Sequence, residues 1–229
     1  MYSAPPWSTT QGGRGSKQLY RVLLLHLNEV IPFTIHRFDR HSLPATPWKN
    51  GGGLTREIVC MPHGGGLDSF DWRVSIAHIA SNGPFSTFPG VDRVITLLEG
   101  GGVRLFTPDG TIDHRLDQPL APFAFAGEAA IESLLLDGAC EDFNVMTRRD
   151  HCWADVQVLQ DNVSHVTAGT GLLLALTGRW QLDAGASDQT TTLLPQQGLW
   201  WHDATTSWRL FSDQPGSTLL CVLIHPSTP

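Results

Sequence analysis

The chain has 229 residues, 41% hydrophobic and 16% charged, with fifteen basic against twenty-two acidic side chains and a net charge of −7. That composition supplies a substantial core and excludes a solvated, disordered chain. The negative balance argues against nucleic acid or an anionic membrane as a partner. Cys60, Cys140, Cys152 and Cys221 form no C-x-x-C pair, which removes zinc-ribbon and thioredoxin-type motifs and leaves the reduced thiols of a cytoplasmic protein.

In chain order, residues 1–17 are rich in Ser, Thr, Gly and Pro and carry no packing pattern. The apolar run 22–27 is too short to cross a membrane and lacks a small-residue cleavage site, so residues 1–32 are expected to be a flexible extension. The folded chain is expected to begin near Phe33, where FTIHRF alternates like a strand. Residues 69–80 allow two assignments, and the alternation of Trp72, Val74 and Ile76 with Arg73, Ser75 and Ala77 favours a strand. Short apolar runs follow at 93–98, 103–107, 130–136, 143–147, 171–177, 208–212 and 218–225, divided by Gly, Pro, Asp and Asn. No long window keeps a helical period without a Gly or Pro break.

An internal repeat is visible. TLLEG at 96–100 leads into VRLF, and LALTG at 174–178 leads into RWQL. Each is followed by a polar turn and a second apolar run (PFAF at 122–125, LWWH at 199–202). A closing strand is then expected at 132–136 and at 219–224. Strand, glycine turn and strand, repeated, predict two jelly-roll halves: an all-β chain with one barrel over 33–150 and one over 151–229, with strands exchanged between them.

The densest motif is PWKNGGGLTREI at 47–58. Three glycines permit backbone turns and close approaches that no other residue allows. They serve either as a tight strand-entry turn or as a loop wrapped around a small ligand. Together with FDWRVSIA at 70–77, NGPFSTFPGVDR at 82–93 and DFNVMTRR at 142–149, this motif resembles the signature of the HutD/Ves family. The resemblance spans roughly 36–225 and is sharp up to about residue 150. It implies a bicupin fold of two cupin-like barrels, no established catalysis, and a link to histidine utilisation through sensing or buffering of an intermediate; no cofactor is expected. Ves-type members are tied to cold and stress responses, and the motifs do not separate the two branches.

On a strand every second side chain shares a face. Thr55 and Glu57 therefore share one, as do Arg73 and Ser75, and Asp142 and Asn144, each opposite an apolar face. These pairs, with Lys49, Asn50 and Arg148, are the expected ligand-binding residues, converging at one barrel mouth on a small anionic metabolite such as urocanate or formylglutamate. Arg73 is either a bidentate carboxylate partner or a structural ion pair with Glu57 or Asp142. Arg148-Arg149 reads as an anion clamp or as exposed charge, and Asp92-Arg93 as a turn ion pair. The segment 84–89 is expected to cover the barrel, and Trp48 and Trp72 to pack. No histidine pair has ligand spacing, including His36, His41, His63 and His78, so no metal is expected; there is no serine-nucleophile elbow. The alternative is a metal-independent enzyme with Glu57 or Asp142 as general base. A third possibility is an interaction protein whose cavity is filled by side chains. A homodimer is compatible with all three.

Overall fold

The computed structural model describes residues 34–160, 164–184, 190–203 and 206–228; the expected extension lies outside them. Nineteen strands are formed among the described residues. The first, β1 (Ile35–Asp39), is followed by a single 3-10 turn at Arg40–Ser42. Then come β2 (Ala45–Pro47), β3 (Gly53–Met61), β4 (Trp72–Ile79), β5 (Gly83–Pro84), β6 (Val91–Gly100), β7 (Val103–Phe106), β8 (Asp113–Leu116), β9 (Pro122–Ala126), β10 (Glu132–Leu135) and β11 (Cys140–Arg148). The second half contains β12 (Cys152–Gln160), β13 (Ser164–Ala168), β14 (Thr170–Thr177), β15 (Trp180–Asp183), β16 (Thr190–Leu193), β17 (Gln197–Trp201), β18 (Thr206–Phe211) and β19 (Thr218–Pro226). Residues 72–79 are a strand, as their alternation predicts.

Each half is a pair of facing antiparallel sheets. The first barrel joins a six-stranded sheet, β2-β3-β4-β11-β6-β9, to a four-stranded one, β5-β10-β7-β8. The second joins β1-β17-β14-β19-β12 to β13-β18-β15-β16. Strand β1 thus precedes the whole first barrel in sequence but pairs with β17 of the second. Arg40, 3% exposed, anchors the return of the chain to the first barrel. It donates to Gln196 Oε1 (2.9 Å) and pairs with Glu99 (2.8 Å) and Glu141.

The pairings make β4–β11 and β12–β19 two copies of one eight-strand unit. β6 binds β9 and β11 as β14 binds β17 and β19; β7 binds β8 and β10 as β15 binds β16 and β18. Gly100 closes β6 and Gly178 directly follows the equivalent strand β14, with φ of 93° and 73°, a conformation that favours glycine. One part of the expected repeat is corrected. The strand at 132–135 is the counterpart of β18, and the true counterpart of β19 is β11, because both close the ladder beside β6 or β14.

Three apolar layers result. One fills the first barrel, including Ile95, Leu97, Val103, Leu105 and Leu116. One fills the second, including Trp180, Trp201, Trp208, Leu173 and Leu219. The third cements the large sheets back to back, with Trp72, Val74, Ile76, Phe143 and Val145 against Leu172, Leu174, Trp200, Leu220 and Val222. Burying such side chains contributes about 1.5–3 kcal/mol each.

Candidate functional site

The outward face of the six-stranded sheet is committed to the other barrel, so its second face forms the interior of the first. The ladder arranges that face in rows. Thr55, Ala77, Asp142 and Leu97 form one row; Glu57, Ser75, Asn144 and Ile95 the next; Cys60, Arg73, Met146, Arg93 and Phe125 the third. Thr55, Glu57, Arg73, Ser75, Asp142 and Asn144 therefore lie on one surface. Arg73, Ser75, Asp142 and Asn144 are buried.

Arg73 donates from Nε to Glu57 Oε2 (2.7 Å) and from an η nitrogen to Ser75 Oγ (3.2 Å) and Met146 Sδ (3.8 Å). Of the two ion-pair partners open to it, Glu57 is the one engaged. Glu57 is half-exposed and stands at the rim, where a cleft of about 360 Å³ opens between β3 and the loop carrying His63, Gly64 and Gly66.

Arg93 corrects the expectation from sequence. It makes no turn pair with Asp92, because consecutive residues of a strand point to opposite faces. Asp92 points outward to Arg149 (2.7 Å). Arg93 points inward, 7% exposed, with its guanidinium beside the rings of Phe85, Phe88 and Phe125 at 5.1, 5.8 and 5.1 Å. Two of those rings come from the segment 84–89, which is pinned to the barrel by hydrogen bonds from Phe85 N to Ile131 O and from Phe88 N to Gly127 O, both 2.8 Å. Among the described residues its side-chain hydrogen bond is one long contact, Nε to Asn144 Oδ1 at 3.4 Å. Burial lowers its pKa to about 10, opposed by the attraction of Asp142.

Asp142 is 1% exposed, and its Oδ1 has no hydrogen-bond partner. Burial pushes its pKa up to about 7, against the opposing pull of Arg93 and the Ala77 amide. The sequence signal for Arg93 was present: Val91, Arg93, Ile95 and Leu97 form one strand face, and a lone charge on an apolar stripe needs a partner inside.

Three expected ligand residues lie apart from this surface. Lys49 and Asn50 are exposed on the turn before β3, beside the Ile79 end of β4. Six strand residues, about 20 Å, separate that end from Arg73, so the expected convergence on one mouth does not extend to them. Asn50 Oδ1 accepts from Gly52 N (3.0 Å) and closes its own turn. Trp48 folds back to donate to Thr55 Oγ1 (2.8 Å). A Cβ on Gly53 would lie 2.2 Å from the His78 carbonyl, so the glycine run works as a tight strand-entry turn. Arg148 donates to the carbonyls of Phe70 (3.0 Å) and Asp68 (3.5 Å), and Arg149 to Asp92 and Glu128. Both brace loops.

The inner donor set is two guanidinium groups, a hydroxyl, an amide and one carboxyl. It suits an anion, since Arg73 is matched by Glu57 and the unmatched cation Arg93 repels a divalent metal. Among the described residues no cluster of three or more His, Cys, Asp or Glu side chains has metal-binding geometry. His36 and His63 lie against Trp200, and His78 sits near Glu141 at 3.7 Å. Burial raises the pKa of all four cysteine thiols, which keeps them protonated and unreactive.

Comparison with known proteins agrees with the architecture. The HutD family model matches residues 40–220. Protein Ves of Cronobacter sakazakii is 43% identical over 174 residues, covering 76% of this chain and 90% of that protein. The structure of HutD from Pseudomonas fluorescens SBW25, described as a formate condition, superposes with a TM-score of 0.71 at 29% identity, covering 85% of this chain and 100% of that one. The oxalate decarboxylase of Lactobacillus farciminis superposes with a TM-score of 0.56 at 10% identity over 81% of this chain and 85% of its own, a likeness of fold alone.

Proposed function

The chain belongs to the HutD family, and from that premise we propose that its first barrel is a non-catalytic receptor for a small carboxylate metabolite. In this account Arg93 anchors the carboxylate, Asn144 and Ser75 orient it, and Arg73, braced by Glu57, adds positive potential from the rim. Binding then modulates histidine utilisation or a stress response in the cytoplasm. The observation that supports this most is Arg93: a guanidinium enclosed by aromatic rings, with one 3.4 Å side-chain hydrogen bond. A buried charge so poorly hydrogen-bonded is costly, and a carboxylate would complete it with charge-assisted bonds.

A ligand that binds only the folded state raises its apparent stability. Formate, N-formylglutamate and urocanate are the probes for a thermal-shift screen. At least one should raise the melting temperature of the wild type and leave Arg93→Met unmoved. A wild type indifferent to all three at millimolar concentration contradicts the assignment. The enzyme alternative draws on the raised pKa of Asp142, as a general base near neutrality requires. Turnover of the same compounds by purified protein, lost in Asp142→Asn, would establish it instead.

A further inference from the structure

We propose that Asp142 contributes the proton of a carboxyl–carboxylate pair when an anion enters the first barrel, so that where Asp142 starts ionised each carboxylate bound at Arg93 brings one proton with it. This rests on the carboxylate assignment above.

The argument starts from geometry. Asp142 lies on the inner face one row beyond Asn144, the residue that contacts Arg93. It is 1% exposed and its Oδ1 is unpartnered. An ionised buried carboxylate wants several donors; among those in the barrel, this one has the Ala77 amide, its own amide and the field of Arg93, and its Oδ1 has no partner. A neutral carboxyl instead needs one acceptor for its O–H, and a bound carboxylate is such an acceptor.

Charge balance leads to the same place. From β6 Asp142 faces Arg93. From β4 and β3 come Arg73 and Glu57, which neutralise each other at 2.7 Å, and the thiol of Cys60. On its own strand stand the Cys140 thiol and, next in the chain, Glu141, which pairs with Arg40. The facing sheet brings His114 on the inner side of β8, stacked on Phe123 at 3.8 Å. One unmatched cation, Arg93, therefore meets two carboxyl groups once the ligand is in. Two like charges in a desolvated space do not both ionise, so one carboxyl keeps a proton taken from solvent. Burial already holds Asp142 near half-titration at neutral pH, at about 7, and the ligand charge moves it further up. The complex then holds one cation, one anion and one neutral acid.

The linkage has a definite sign. The ligand prefers protonated Asp142, so affinity is level below pH 7 and falls as pH rises above it, about tenfold per unit. Sodium formate, ionised throughout, is titrated calorimetrically into the full chain at pH 6 and pH 8, the latter in both triethanolamine and Tris, whose buffering species are cations and neutral amines that do not compete for an anion site. The dissociation constant should be about tenfold weaker at pH 8, and the heats in the two buffers should differ by close to one proton per formate. Asp142→Asn, whose amide donates without titrating, should bind equally at both pH values with no buffer dependence. If Asp142→Asn fails to fold, the two-buffer comparison on the wild type decides alone. Equal wild-type affinities without proton uptake overturn the proposal and leave carboxylate binding intact. Persistence of the pH loss in Asp142→Asn assigns the proton to another group and overturns it too. No formate binding at pH 6 removes the carboxylate assignment and this proposal with it.

Discussion

The two barrels are built on the same eight-strand ladder and differ in what fills them. Aligning β6 with β14 on Gly100 and Gly178 puts Arg93 at the position of Gly171, and the cross-strand partner Phe125 at that of Trp201. Asp142, Asn144 and Met146 likewise correspond to Leu219, Cys221 and Leu223. In the second barrel the indole of Trp201 occupies the space above Gly171, where a Cβ would come within 2.6 Å of the ring. Its Nε1 is satisfied by the Ala168 carbonyl at 3.1 Å. The first barrel spends the same volume on an arginine with one weak hydrogen bond and an aspartate with an unpartnered oxygen. One copy of the ladder is thus filled as an apolar core, and the other keeps buried polar groups, the pattern the proposed receptor requires.

Substitutions break or sharpen this contrast. The largest effect is expected for Trp201→Ala, which empties the second barrel and should cost about 3–5 kcal/mol in chemical denaturation without altering the formate affinity of the protein that remains folded. In the first barrel the sign reverses. The double variant Arg93→Met, Asp142→Asn exchanges two poorly satisfied buried ionisable groups for neutral ones of similar volume. It should be as stable as wild type or more so, while losing the ligand response. A marked loss of stability would mean that the pair is a structural keystone.

The pH dependence is smaller per unit but has a fixed direction. The pKa of Asp142 is raised from 3.8 to about 7 in the folded chain. Between these values the folded state holds a proton that the unfolded state has released. Unliganded stability therefore falls as pH rises through that window, by about 1.4 kcal/mol per unit. Subtracting the pH profile of Asp142→Asn from that of wild type should isolate the slope; parallel profiles would contradict it. The smallest effect is expected outside both barrels. Arg104 and Asp113 form a two-point ion pair at 2.7 Å on an exposed sheet face, and Arg104→Ala should leave the melting curve unchanged within error.

Alternation made much of this legible in advance. It is enough to put Thr55, Glu57, Arg73, Ser75, Asp142 and Asn144 on matching faces and to turn residues 72–79 from an ambiguous segment into a strand. It says nothing about height along a strand, so Lys49 and Asn50, close to Thr55 in sequence, sit at the far end of the sheet from Arg73. Adjacency misled at Asp92-Arg93: opposite charges next to each other suggest a pair, but a strand sends them to opposite sides. The repeat was visible at the two glycine turns and was mismatched at its last strand, because the short, Leu-rich β10 resembles a closing strand while its neighbour β11, a few residues on, carries Asp142, Asn144 and Arg148. That Trp201 fills the place of an arginine became apparent only once the ladders were aligned. The cost of Gly171 and the benefit of Trp201 belong to a pairing, not to either residue.

The central claim, that the first barrel is a receptor and the second a filled core, is tested most directly by a crystal structure of the full chain grown with formate. The account predicts the anion inside the first barrel, hydrogen-bonded to Arg93 and within reach of Asn144 and Asp142, with the space around Gly171 and Trp201 empty of ligand. Formate bound in the second barrel, or only on the exposed turn at Lys49, with Arg93 left uncontacted, would contradict it.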